Sequence, residues 1–252
     1  MGITPARGQY RKLAELLREA IERGDYPRGS ALPSEERLSE QYSLSRPVVN
    51  RALAILRANG LVRVERGRGT FVNDIPRINR NAVERQKRIA RETGRGAFDA
   101  ELTQMGLTPR SEPFHVGPAP IPAPAAEILG VETDTEVFAR RRHMFANDVP
   151  VQLASSYVPN DLAERADLTG DTGAGGLYSR LADIGHGPER FRERVTVRPA
   201  NEDEVAFLRG ELDQPVYEVI RTAFDGEGRP VEVNILIMPV HQWSLTYEWD
   251  AE

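Results

Sequence analysis

The chain has 252 residues, more than one hydrophobic core usually organises, so two domains joined by a connector are expected. With 40% hydrophobic and 28% charged residues it is ordinary globular material, and with no cysteine it can hold no disulfide, thiolate metal site or cysteine nucleophile. The formal charge of −5 hides an asymmetry: residues 1–95 carry 20 Lys+Arg against 11 Asp+Glu, a net of +9, and residues 96–252 carry 13 against 27, a net of −14.

A basic front and an acidic back point to different partners, with the front the candidate for a polyanion. Only Lys12 and Lys87 are lysines, so the choice of arginine carries little information; the polarity of the charge does. The first 25 residues are amphipathic and charged, and no apolar run is long enough to span a bilayer. Neither a membrane span nor a secretory signal is expected, and the cytoplasm is the default location.

QYRKLAELLREAIER (9–23) sets Leu13, Leu16, Leu17, Ala20 and Ile21 on one helical stripe, and Gly24 supplies a stop. Ser34 is placed to cap a second, short helix running to Gln41 or Tyr42. Residues 43–45 turn, and Ser45 can cap a third helix, with Pro47 in its first turn, where a missing N–H costs nothing. In that third helix Val49, Ala52, Leu53 and Leu56 share one face. Pro47, Asn50, Arg51 and Ala54 share the other, with Arg46 at its N-terminal edge. Asn and Arg are the residue types that reach adenine and guanine edges in a major groove. A polar face alone is more often merely solvated. The next segment changes that balance: LVRVE (61–65) alternates as a strand, and RGRGTFV (66–72) turns and returns as a second. The result is a hairpin with a cationic, glycine-rich tip, from which Arg66 and Arg68 can enter a minor groove or clamp phosphates.

Tyr10, Leu16, Ile21, Gly24, Gly29, LPSEERLSEQY (32–42), Ser45-Arg46, RAL (51–53), Leu56, GLV (60–62) and GRGTFV (67–72) closely resemble the winged-helix domain of GntR-type bacterial transcription regulators. The resemblance spans residues 9–73 with matching spacings. It implies operator contacts from Ser45, Arg46, Pro47, Val48, Asn50, Arg51, Arg68 and Gly69. Many members carry Arg directly after the PSE-type tripeptide, whereas here Glu36 holds that place and Arg37 follows. Pro47 and Asn50 stand where other members show Thr and Arg, so the operator sequence does not carry over.

Residues 73–95 hold 7 basic and 3 acidic residues with little periodic apolar content, which reads as a basic connector. From 97 onward the pattern is α+β. Helices are expected at 98–106, 123–130, 175–185 and 201–210, and extended segments at 113–121, 135–147, 150–159, 189–199, 215–225 and 229–240. The turns AND and DGEGR join strand pairs directly, so the sheet should be largely antiparallel. The predicted organisation is a winged helix-turn-helix domain over 1–74, a linker over 75–96, and an antiparallel sheet domain with helices over 97–252.

LG (129–130), Arg142, Pro150, SSYVP (155–159), GLYSRL (176–181), ERVTVRPANEDEVAFL (193–208), PVYEVIRTAFDGEGRPVEV (215–233), Trp243 and Tyr247 resemble the UTRA effector-binding domain of the HutC branch of GntR regulators. The resemblance implies a chorismate-lyase-like fold with a small-molecule pocket beside the sheet. By motif position Arg142 matches an arginine that grips anionic groups in phosphosugar-sensing members. A second arginine two residues on is Met144 here, and a glutamate expected four residues after Pro150 is Ala154, so that site is not copied. The remaining polar candidates for an effector are Ser155, Ser156, Tyr178, Glu193, Arg221 and Glu232, although strand pairs such as Glu193 and Arg221 often only face each other.

Catalysis is not expected. The four histidines have no metal-ligand spacing, no GxSxG, phosphate-loop or dinucleotide fingerprint occurs, and GRGT (67–70) leads into a strand, not a helix. No cofactor and no metal are called for. The reading is a cytoplasmic, ligand-responsive regulator, a repressor that binds a near-palindromic double-stranded operator as a homodimer. The alternatives are a protein-interaction module whose winged helix does not touch DNA, and a chorismate-lyase-like enzyme.

Overall fold

The structure, a computed structural model, describes residues 8–65, 67–89, 96–170, 176–209 and 214–250. The chain divides into two compact units, Met1–Arg77 and Ile78–Glu252. Among the described residues no helix is long and apolar enough to cross a membrane.

The first unit is three helices and a hairpin. Helix α1, Gln9–Arg23, ends at Gly24, whose φ of 86° closes the last turn in the left-handed region. Helix α2, Glu35–Tyr42, is capped by the Ser34 side chain, which accepts from the Arg37 N–H at 3.2 Å. Helix α3, Arg46–Ala58, follows a turn in which Ser43 takes φ 50°. Ser45 holds the cap position in extended conformation, but its side chain makes no capping bond. Strands β1, Val62–Glu65, and β2, Gly69–Val72, pair antiparallel, and Ala31 bridges to Phe71 beside them. Leu13, Leu17, Leu38, Val49, Ala52, Leu56, Val62 and Val72 form the core. Each fully buried leucine there contributes about 2–3 kcal/mol. Leu16, expected on the same stripe, is instead exposed at its edge, because Ala14 takes the inward position beside Leu13 and Leu17.

The second unit begins with strand β3, Ile78–Asn81, and helix α4, Ala82–Ile89. Here the structure departs from the connector expected over 75–96. Residues 78–81 pair in parallel with the last strand, β10, Trp243–Thr246. Ile78 is buried beside that pairing, and its N–H donates to the Gln242 carbonyl at 2.7 Å. Apolar positions in the segment are few, and two of the residues it buries are arginines, so its composition does not mark it as packed.

Helix α5, Ala97–Gln104, precedes a six-stranded antiparallel sheet. In chain order its strands are β4, Pro109–Pro120; β5, Glu136–Ala146; β6, Val149–Val158; β7, Arg190–Pro199; β8, Pro215–Phe224; and β9, Pro230–Pro239. Their spatial order is β4-β5-β6-β9-β8-β7. The tight turn between β5 and β6 uses Asn147 and Asp148 at φ 47° and 62°, the handedness that matches a twisted hairpin. One face of the sheet is covered by helices α6, Ala123–Leu129, and α9, Glu202–Leu208, over Val137, Ala139, Tyr157, Ile220 and Ile237. On the other face helices α7, Asn160–Arg165, and α8, Gly176–Asp183, pack on Phe138, Val158 and Ala223. Trp243 anchors β10 with its indole N–H on the Val151 carbonyl at 2.8 Å. Helix α7, strands β3 and β10, and helix α4 are elements that periodicity in the sequence does not announce.

Candidate functional site

In the first unit the outward side of α3 carries Arg46, Pro47, Asn50 and Arg51, all exposed, with Ser45 exposed beside them. Val48, carried over with them by resemblance, is 8% exposed and packs inward. Successive helix positions are 100° apart, so a residue between Pro47 and Val49 cannot share the Asn50 face; as a side-chain contact it is set aside. Three of the basic groups already hold partners in their own unit. Arg46 donates to Glu36 at 2.5 Å. The Arg51 guanidinium lies 5.1 Å from the Tyr10 ring centroid. Arg68 pairs with Glu65 and lies 5.4 Å from the Phe71 ring. Arg68 and Gly69 are exposed at the hairpin tip, and Gly69 takes φ 121°, open chiefly to glycine. Arg66 lies outside the described residues. The surface is cationic, set in the first two turns of a helix and flanked by a hairpin, and its arginines are pre-positioned by weak exposed partners that DNA can displace.

In the second unit strand alternation sorts the expected effector residues. Register pairs run Arg140 to Ser156, Ser156 to Asn234, Asn234 to Arg221, and Arg221 to Glu193. One polar row therefore crosses five strands on a single face. Arg142 sits two residues along β5 on that face, opposite Ala154, and Glu232 sits two along β9. Tyr178, from α8, donates its hydroxyl to Glu232, which also accepts from Arg221 at 3.3 Å. Arg142, Ser156, Tyr178, Glu193, Arg221 and Glu232 are thus brought to one face. Ser155 is not. It pairs with Arg141 and Ile235 on the opposite face, since a one-residue step along a strand reverses the side chain.

Glu193 and Arg221 are register partners, but their ion pairs go elsewhere. Glu193 takes Arg80 from β3 through both terminal nitrogens, and Tyr247 approaches the same carboxylate at 3.4 Å. Arg80 is 0% exposed. Arg85, from α4, pairs with Glu101 of α5 at 3.0 Å beside a cavity of about 310 Å³ that also meets Asn79, Asn81 and Gln104. Burial pulls the Arg85 pKa down to about 10. Burial likewise lowers Arg142, and the nearby Arg140 lowers it further; among the described residues Arg142 forms no ion pair. Burial opposes the charge on Arg221, but Tyr178, Glu232 and Glu193 together raise its pKa above the ordinary value. Among the described residues, the Nε groups of Arg80, Arg85, Arg142 and Arg221 and the Oδ1 of Asn234 are buried without a hydrogen-bond partner. Such atoms cost free energy unless something polar meets them. The site is therefore a charged, cation-rich floor that can bind an anionic molecule.

Arg80, Arg85, Glu101, Arg140 and Asn234 were not among the candidates. Asn234 had a signal: Glu232 and Asn234 alternate within the apolar run VEVNILIM (231–238). Arg80 also had a faint one, Ile78 and Arg80 alternating with Asn79 and Asn81.

Comparison with known proteins follows the same division. The profile described as "Bacterial regulatory proteins, gntR family" matches residues 9–72, and that of the UTRA domain matches residues 104–242. The HTH-type transcriptional regulator GgaR of Escherichia coli K12 is 27% identical over 226 residues, covering 90% of this chain and 85% of its own length. The HTH-type transcriptional repressor NagR of Bacillus subtilis is 27% identical over 88% of this chain and 87% of its own. A probable fructoselysine utilization operon transcriptional repressor of E. coli is 27% identical over 95% and 93%. A solved GntR-family transcriptional regulator superposes with a TM-score of 0.59 at 26% identity, covering 99% of both chains.

Proposed function

The chain belongs to the gntR family of bacterial regulatory proteins and carries a UTRA domain, and from that premise we propose that it is a ligand-responsive repressor. It binds a near-palindromic operator as a homodimer in the cytoplasm. Each protomer's α3 lies in a major groove, with Arg46, Asn50 and Arg51 facing base edges and Arg68 and Gly69 at the neighbouring phosphates. Half-sites of a two-fold dimer then fall about one helical turn, roughly 10 base pairs, apart. The effector is a small anion held on the sheet face of the second unit around Arg142, Ser156, Tyr178, Arg221 and Glu232. It releases or tightens the operator only to the extent that it binds the two states unequally.

The observation that carries the effector reading is the polar row from Arg140 through Ser156, Asn234 and Arg221 to Glu193, in which, among the described residues, the Arg221 Nε and the Asn234 amide oxygen are buried without a hydrogen-bond partner. Repression over activation is supported by two relatives that are named repressors. The test is enrichment of operator sequences from a random duplex pool by the full-length protein, repeated with small anions present. A two-fold symmetric motif whose recovery falls with one class of anion supports the reading. Recovery of no motif counts against DNA recognition, and recovery indifferent to every anion counts against the effector assignment.

A further inference from the structure

Around the polar row the arginines are matched one by one. Arg221 pairs with Glu232, Arg80 with Glu193 and Arg85 with Glu101, and Arg140 has a partner too. Arg142 differs: among the described residues it forms neither an ion pair nor a hydrogen bond, and its Nε is buried. Burial and then Arg140 lower its pKa, and Glu232, Arg221 and Tyr178 also act on its charge, so its guanidinium is within electrostatic reach of the Tyr178–Glu232–Arg221 cluster. Arg142 is only half-buried, so an anion can reach it. A guanidinium in such surroundings is costly until one negative charge meets it. A second negative charge would compete with Glu232 for Arg221.

Two further polar atoms lack partners nearby. The Arg221 Nε–H, a donor, and Asn234 Oδ1, an acceptor, are both buried and unmet among the described residues. The two residues are register partners on β8 and β9. A hydroxyl is the small group that accepts from one and donates to the other. An ammonium only donates and a carboxylate only accepts, so neither meets both. Asn234 lies two strands across from Arg142, through Ala154 and Leu236, and two residues along. Their Cα atoms are therefore about 12 Å apart, a gap that the long arginine and the shorter asparagine side chains narrow to the length of a small organic molecule.

We infer that the effector is a monoanionic hydroxy carboxylate, with its carboxylate on the Arg142 guanidinium and a hydroxyl between Arg221 Nε and Asn234 Oδ1. This rests on the anionic-effector reading above and names both the charge and the second functional group. The planar carboxylate meets the guanidinium fork through two parallel N–H···O bonds. The hydroxyl supplies the missing acceptor and the missing donor at once, and the Arg221–Glu232 pair stays in place.

The test is calorimetry on the full-length protein with 3-hydroxybutyrate, 4-hydroxybutyrate and gluconate, against butyrate, 4-aminobutyrate, succinate and inorganic phosphate. At least one hydroxy acid should bind about tenfold more tightly than butyrate, the effect of one hydroxyl that satisfies buried partners. The same acid should also outbind succinate and phosphate. These comparisons need no variant, so they decide the matter even if a substituted protein folds poorly. Arg142→Gln should weaken binding of every carboxylate at least about tenfold. Asn234→Leu should erase the advantage of the hydroxy acid over butyrate and leave butyrate unchanged, a difference that a merely structural role would not produce. Equal binding of butyrate and all three hydroxy acids would mean that water fills the Arg221–Asn234 gap, and the hydroxyl assignment would be wrong. Tightest binding of a dianion or of 4-aminobutyrate would overturn the proposed class and leave an anion site standing. If no anion binds the parent protein, the anionic-effector reading falls as well.

Discussion

Arg46 donates through Nη2 to Glu36 Oε1 at 2.5 Å, so the guanidinium that heads α3 is held by a carboxylate of the preceding helix. The side chains are 64% and 66% exposed, and an exposed pair of this kind contributes at most about 1 kcal/mol to stability. Its effect falls on DNA binding instead. A carboxylate facing a phosphate backbone repels it, and a guanidinium that must first leave a carboxylate gains less from a phosphate. Glu36→Gln should therefore raise affinity for non-operator duplex and steepen the slope of log affinity against log salt by about one. Titrations at several salt concentrations measure it. An unchanged slope would mean that Arg46 never trades Glu36 for phosphate.

Arg46→Ala removes a candidate bidentate contact. Loss of about 1–3 kcal/mol of operator discrimination is expected, roughly tenfold to a hundredfold in specific affinity. The thermal midpoint should barely move, since the side chain supports nothing in the core. Gel-shift affinity equal to the parent's would remove α3 from the interface.

Gly69→Ala tests the wing. A Cβ at this position meets nothing within 4 Å, so any cost comes from the φ of 121° alone. Backbone forced into that region costs about 1–3 kcal/mol. Chemical denaturation should show that loss, and operator binding should weaken as the hairpin tip relaxes. A neutral outcome would show that the hairpin tolerates a different turn.

The Glu193–Arg80 pair makes stability depend on pH. Burial pushes the Glu193 pKa up, but the Arg80 hydrogen bonds and charge outweigh it, and the native value lies below the ordinary 4.5. A carboxyl whose folded pKa is depressed adds stability that is complete above its unfolded value and is lost as the pH falls through the folded value. The stability difference between the parent and Glu193→Gln should hold constant near neutrality and shrink below about pH 4.5. Denaturation curves across that range decide it, and a gap that persists into acid would assign the difference to packing.

Asn234→Leu separates stability from response. Among the described residues the Asn234 amide oxygen is buried without a partner, so an apolar side chain of similar size should raise stability by about 1 kcal/mol. It should also remove a polar group from the row and weaken anion binding, the exchange of stability for function expected at a binding site. A variant that is more stable and still binds anions normally would place Asn234 outside the site.

The winged helix was almost fully legible because each of its signals is local. Ser34 caps α2 as its position suggests, Pro47 falls in the first turn of α3, and Gly60 follows the helix at positive φ. The sheet was legible strand by strand, since alternation and turns such as Asn147-Asp148 are also local. Which residues share a face was harder. Ser155 and Ser156 look equivalent in the sequence, and only their register against Ile235 and Asn234 separates them. Arg80 and Arg85 were hidden for a different reason. Their burial depends on Glu193 and Glu101, 113 and 16 residues away, and no local pattern marks an arginine as buried. A stretch rich in charge reads as solvated until its counter-charges are located.

The parallel pairing of Ile78–Asn81 with Trp243–Thr246 fixes where this molecule can be cut. A fragment starting at residue 97 follows the apparent compositional boundary, yet it discards a strand, two buried cations and the Ile78–Gln242 hydrogen bond. Such a piece would expose the β10 edge and remove Arg80 from Glu193 and Arg85 from Glu101. The smallest fragment that keeps the second unit whole begins at Ile78. Any screen for its natural signal should use that fragment or the intact chain.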